Sequence, residues 1–209
     1  MKKLLIILLL PLFASAQIRN VVAEYNLYSP PKYSKLDPSK NSTYITLSNG
    51  NLSGTDNSGA TQSSMTLSVS GKTVGGSGIV HCEFTFSVYS PNVKFGVSTI
   101  STSLDAQPQN NDINSWSFKP DGFFVTNATL NQINTSISAG KTVGMDLNLA
   151  SGVLSFSVEG IPTTTATAAT LSAGTYYVSV GFYQFASSVT VNFGDKPFIS
   201  NPGNNPGWL

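Results

Sequence analysis

The stretch Gly140-Lys-Thr-Val-Gly-Met-Asp-Leu-Asn-Leu-Ala-Ser-Gly-Val-Leu-Ser-Phe-Ser-Val-Glu-Gly160 holds two runs of strict alternation around a short turn. Val143, Met145, Leu147 and Leu149 alternate with Gly144, Asp146 and Asn148, the period of two that a strand with one buried and one wet face produces. Ala150-Ser-Gly152 supplies small, turn-competent residues. Leu154, Phe156 and Val158 then face one way and Ser155, Ser157 and Glu159 the other. Two such runs joined by so short a link read as a β-hairpin.

Outward from this hairpin the same period recurs. Tyr176, Val178, Val180 and Phe182 alternate with Tyr177, Ser179, Gly181 and Tyr183, and Val189, Val191 and Phe193 alternate with Ser188, Thr190 and Asn192. Upstream, Ile45/Leu47, Met65/Leu67/Val69, Val80/Cys82/Phe84/Phe86/Val88, Val93/Phe95/Val97 and Trp116/Phe118 each read as an inward face. No helix-period segment of useful length follows residue 16. The expected fold is all-β, a two-sheet antiparallel β-sandwich.

These residues, in this order, resemble the SPRY domain. Its second half corresponds to Gly140, to Val143-Gly-Met-Asp-Leu147, to Gly152-Val-Leu-Ser-Phe156 with Gly160, and to Asn192-Phe-Gly194 followed by Pro197-Phe198. Its first half corresponds to Ile45 through Gly54, Gly78 through Phe86, and Phe95-Gly-Val-Ser98. The sequence departs from the family pattern at Lys141, Glu159 and His81. The resemblance implies a concanavalin A-like jelly-roll sandwich over residues 41–198, a buried, hydrogen-bonded Asp146, and a module that binds partner proteins through loops at one rim without catalysis.

Lys2-Lys3, the apolar run Leu4–Leu10 and the small-residue pattern Ala14-Ser-Ala16 form a signal-peptide sequence, a helix over residues 1–16 with cleavage expected before Gln17. Its apolar core is short for a membrane span, so contact with a membrane is expected only if the segment stays uncleaved. The expected location is secreted or cell-surface. Cleavage would remove Lys2 and Lys3 and leave nine Lys and Arg against ten Asp and Glu, with no clustered basic charge for nucleic acid. Residues 17–40, rich in Pro and Tyr, read as a lead-in along a sandwich edge rather than an element of its own. Residues 199–209 read as a loosely held Pro/Gly tail, with Trp208 docked on the body or on a partner.

Residues 49–64 and 101–114 read as long polar loops, and Thr163–Ala169 as a loop or irregular edge. With one cysteine, Cys82, no internal disulfide can form, and its place among Val80, Phe84 and Phe86 makes it a small buried apolar side chain. The single histidine, His81, shares the outward face of its strand with Glu83. Those two residues lack a third ligand for zinc, and no metal or cofactor is expected. A nucleophile–His–acid triad would have to use that mid-strand histidine, and no pair of acids flanks a cleft as glycoside hydrolysis needs, so no enzyme activity is expected.

The function expected is therefore recognition of a protein or peptide. The candidate partner-binding residues are Asp105, Gln107, Asn110 and Asp112 in one loop and Tyr183, Gln184 and Phe185 after the Tyr176 strand. Exposed aromatics at a loop are the usual anchors of an interface. The alternatives are glycan binding, with Tyr89 beside Asn92 or Tyr183 beside Gln184 as platforms, a virion or surface-appendage component, and a structural assembly subunit.

Overall fold

The computed structural model describes residues 33–57, 63–87, 92–105, 113–126, 129–132, 136–159, 166–183, 187–201 and 204–209. Their strands form two antiparallel sheets. The first, in spatial order, is β1 (Leu36–Asn41), β4 (Ser63–Val74), β13 (Gly174–Tyr183), β6 (Lys94–Ser98), β7 (Ser115–Phe118), β8 (Phe123–Thr126) and β9 (Thr129–Gln132). The second is β12 (Ala166–Thr170), β11 (Val153–Val158), β10 (Thr142–Asn148), β5 (Ile79–Phe86), β14 (Ser188–Asn192), β3 (Ser53–Asp56) and β2 (Ile45–Ser48). The expected signal helix lies outside the described residues.

The hairpin read around Gly152 is β10–β11, with Val143 opposite Val158 and Leu147 opposite Leu154. Its turn is closed by the Asn148 carboxamide oxygen, which accepts from the Ala150 and Ser151 N–H groups at 3.0 and 3.1 Å. Gly152 sits at φ +73°, and a Cβ there would stand 2.2 Å from the Leu171 carbonyl oxygen, so no other residue fits.

Between the sheets, the inward faces of β5, β6, β7 and β11 meet in a run of rings. Phe84 stacks on Phe95 at 4.9 Å, Phe95 meets Phe118 at 5.8 Å and Phe118 meets Phe156 at 5.2 Å, so the run passes from the second sheet to the first and back. Each fully buried phenylalanine contributes about 1.5–3 kcal/mol of transfer free energy. Cys82 lies in this core, fully buried, and burial together with the Asp146 and Glu83 charges pushes its thiol well above its ordinary value.

Several expectations are corrected. Leu36–Asn41, assigned to the lead-in, is an edge strand bonded to β4 that carries Pro38, as edge strands can because one side of their ladder is open. Ser53–Asp56, inside the first expected loop, is β3, held between β2 and β14. Its small Gly54 approaches Ile45, Leu36 and Thr66, and a strand with so little apolar bulk has no hydrophobic signature. Of the low-complexity stretch, expected to be a loop or an irregular edge, Ala166–Thr170 is the second, the edge strand β12 with a register shift against β11; residues 163–165 lie outside the described residues.

Met65 and Leu67 are buried, but not between the sheets. They oppose Gly181 and Ser179 on β13, whereas the intersheet core takes the alternate residues Val180 and Phe182. Thr66 points inward instead, its methyl near Gly54 of the other sheet, and Val69 is 43% exposed. Alternation tells which residues share a face and leaves open which face is turned to the core.

The C-terminal tail is also corrected, because it is part of the sandwich. β14 covers only the Glu83–Phe86 half of β5, and the tail occupies the ladder positions beyond it. The His81 N–H donates to the Pro206 carbonyl at 2.8 Å, and Gly207 bridges His81 in parallel. Trp208 is fully buried in the core; its N–H donates to the Phe193 carbonyl, its indole N–H to the Ser70 carbonyl, and its carbonyl accepts from Ser34. A Cβ on Gly207 would lie 2.3 Å from the Phe193 oxygen. The folded unit therefore runs Tyr33–Leu209.

Candidate functional site

The outer face of the first sheet carries a strap. On leaving β6 the chain turns at Thr99–Thr102, and the Thr102 hydroxyl reaches the Met65 sulfur at 3.8 Å. The Leu104 carbonyl then accepts from the Met65 N–H at 2.9 Å. Because β13 lies between β6 and β4, residues 99–104 cross it. Beneath them the fully buried Ser98 hydroxyl lies within hydrogen-bond distance of the Ser179 and Ser115 hydroxyls, at 3.0 and 3.2 Å. Polar groups shut away from water need such partners, so this face is built to be covered.

The strap delivers the first candidate loop to the second. Asp105 follows Leu104 and is exposed, beside the start of β4, while Tyr183 ends β13 opposite Ser63 and is half-buried. The two are brought to one rim from segments far apart in sequence. Here the ends of the second sheet are tied as well: the Asp56 N–H donates to the Ser187 carbonyl at 3.0 Å, and the Ser87 and Ser188 hydroxyls stand 2.6 Å apart. Gln107, Asn110, Asp112, Gln184 and Phe185, and Tyr89 of the glycan alternative, lie outside the described residues.

Sequence reasoning missed a row of side chains at this rim. Gly181 pairs with both Met65 and Lys94, and Phe95 with Phe118, which sets Lys94 beside Lys119; Lys119 bonds through its backbone to Phe123. Met65, Gly181, Lys94, Lys119 and Phe123 thus form one cross-strand row on the outer face. Lys94 is only 5% exposed, and burial, helped by the Lys119 charge and opposed by Asp121, pulls its amine down to about 7. Lys119 pairs with Asp121 at 2.8 Å and lies 5.9 Å from the Phe123 ring. The signal was present: Lys94 alternates with Val93 and Phe95, which marks it as facing out.

Lys119 and Phe123, the partly exposed members of this row, offer a cation and an apolar ring. The chain's one histidine and one cysteine are both buried in β5. Among the described residues no group of three His, Cys, Asp or Glu side chains is arranged to hold a metal ion. His81 and Glu83, weighed above as a metal pair, are engaged elsewhere: the His81 Nδ1 lies 2.8 Å from Asp146, and Glu83 accepts backbone N–H groups of the tail. Asp146 is buried and hydrogen-bonded, as the resemblance implied.

Neither a protein-family model nor a curated protein sequence matches the chain. Solved structures do. The SPRY domain of human HERC1 superposes with a TM-score of 0.64 at 19% identity, over 78% of this chain and 99% of that one. The PSpry domain of TRIM65 gives 0.58 at 17% identity, over 82% and 98%. A human SPRY domain gives 0.59 at 14% identity, over 74% and 98%. The strand order, the two-sheet core and these superpositions agree: the chain has the fold of a SPRY domain.

Proposed function

We propose that this chain is an exported, non-catalytic recognition module that binds a protein or peptide partner at the rim where the strap meets the ends of β13 and β4. The observation that carries this reading is that Asp105, delivered by the strap, and Tyr183, at the end of β13, come to one rim of the sheet that also carries Lys119 and Phe123. An acid, aromatic rings and a cation at one edge of a rigid sandwich are the groups from which interface anchors are made. The likeness to SPRY domains supports the same reading. Export rests on the signal-peptide pattern, and amino-terminal sequencing of the protein recovered from the medium or cell surface tests it.

The rim is tested by affinity capture from surface extracts of the source, with Tyr183→Ala and Asp105→Ala in parallel and a glycan array on the same preparations. A protein partner whose affinity falls about tenfold or more in Tyr183→Ala, at unchanged melting temperature, is the expected result. Glycan hits without any protein partner would replace this reading with adhesion.

A further inference from the structure

On the outer face of the second sheet, away from the rim, three titratable side chains meet under the C-terminal tail. His81 is fully buried, with Nδ1 2.8 Å from an Asp146 oxygen and Nε2 3.8 Å from a Glu83 oxygen. Both carboxylates also grip the tail. The same Asp146 oxygen accepts from the Asn205 carboxamide at 2.9 Å, and Glu83 accepts from the Ile199 and Ser200 N–H groups. Ser157 donates to the Ser200 carbonyl at 3.0 Å, and Phe198 sets its ring against the imidazole at 4.5 Å. Gly144 leaves room for this layer: a Cβ there would stand 2.2 Å from the Ser200 oxygen and 2.8 Å from the imidazole.

We propose that His81, Asp146 and Glu83 form a pH-operated latch that holds residues 198–201 and 204–208 against the sandwich and releases them when the imidazole loses its proton. The charge balance gives the direction. Two buried carboxylates side by side repel each other, and one imidazolium between them offsets that repulsion. The tail contributes Phe198, Ser200 and Asn205, β11 contributes Ser157, and none of these titrates. Among the described residues the charges acting on His81 are therefore Asp146 and Glu83.

Burial alone would lower the imidazole, but Asp146 and Glu83 outweigh it and raise it above its ordinary 6.5. The docked tail is thus favoured below pH 6.5 and loses that support as the pH rises through the raised value. Glu83 works from the acid side. Burial would raise it, yet His81 and the Ser200 and Ile199 N–H groups bring it below its ordinary 4.5, so its contribution is complete above 4.5 and fades as the pH falls through the lowered value. The latch is firmest between these limits and opens on the alkaline side, freeing Trp208 from its socket and uncovering β5 and β10.

The chain's single histidine gives one imidazole signal in nuclear magnetic resonance, and its two tryptophans reduce to one in a Trp116→Phe background. We would titrate that full chain while following the imidazole, the Trp208 emission and the amide exchange of residues 195–209. The expected result is an imidazole midpoint above 6.5. Between 6.5 and that midpoint tail protection falls, by at most about tenfold per pH unit, and then levels off; Trp208 emission shifts to the red over the same interval, while the far-ultraviolet circular dichroism stays constant. Glu83→Gln should shrink this change and move it to lower pH, and His81→Phe should abolish it. An unshifted imidazole, a tail indifferent to its titration, or loss of sheet signal together with the tail would overturn the proposal. A Glu83→Gln profile identical to the parent would do the same.

Discussion

Lys94 sits where a charge is poorly solvated. Its folded form gives up the proton near 7, because of burial first and Lys119 second, whereas an ordinary lysine holds it to 10.5. The unfolded chain therefore binds more protons across that interval, and stability rises as the pH climbs from about 7 towards 10.5. Lys94→Met keeps the length of the side chain and removes the charge. The rise in stability between about pH 7 and 10.5 should be absent from this variant. Thermal melts of both proteins at pH 6 and pH 9 check this; the same rise in both would mean that Lys94 is not its source. At this scale much was legible. Outward placement of His81 and burial of Cys82 could be read from the chain, and burial of Asp146 from the resemblance against an alternation that put it on the wet face, but not the pairing of His81 with Asp146, which depends on β5 and β10 being neighbours.

Among the elements, the tail departs furthest from its composition. Proline and glycine usually mark loose chain, but here the Pro206 carbonyl is an acceptor for His81 and Gly207 is small enough to pass Phe193. The Asn201 carboxamide donates to the Asn205 carbonyl and accepts from its N–H within the segment. Trp208 then fills space between the sheets. Trp208→Ala should cost about 3–5 kcal/mol, read as a lower denaturant midpoint with little change in slope, and a loss under about 1 kcal/mol would show that the socket collapses without it. β3 and β12 were hidden for a related reason. Strands of Ser, Gly, Thr and Ala are held by backbone ladders, which no side-chain pattern advertises.

At the level of the whole molecule, the ladders join distant parts of the chain. β4 pairs with β13, β5 with β10 and β14, and Ser34 with Trp208. Such closure leaves Cys82 at the centre of a single core, its thiol both inaccessible and hard to ionise. Labelling of Cys82 by a thiol reagent should therefore track global unfolding. Its rate should fall in proportion to the folded-to-unfolded ratio across a denaturant series, and rapid labelling in native buffer would reveal a local opening through β5.

By itself the sequence already specified an all-β sandwich, its central hairpin and most inward positions. Those features are local: a period of two and a turn glycine depend only on neighbours along the backbone. Tertiary structure alone decided that Met65 faces a strap rather than the core, that Lys94 and Lys119 adjoin, and that the tail closes the sandwich over His81. Each of these depends on which strands lie side by side and which face is covered. Strand order and long-range docking are set by the free energy of the assembled core and leave no periodic trace in the sequence.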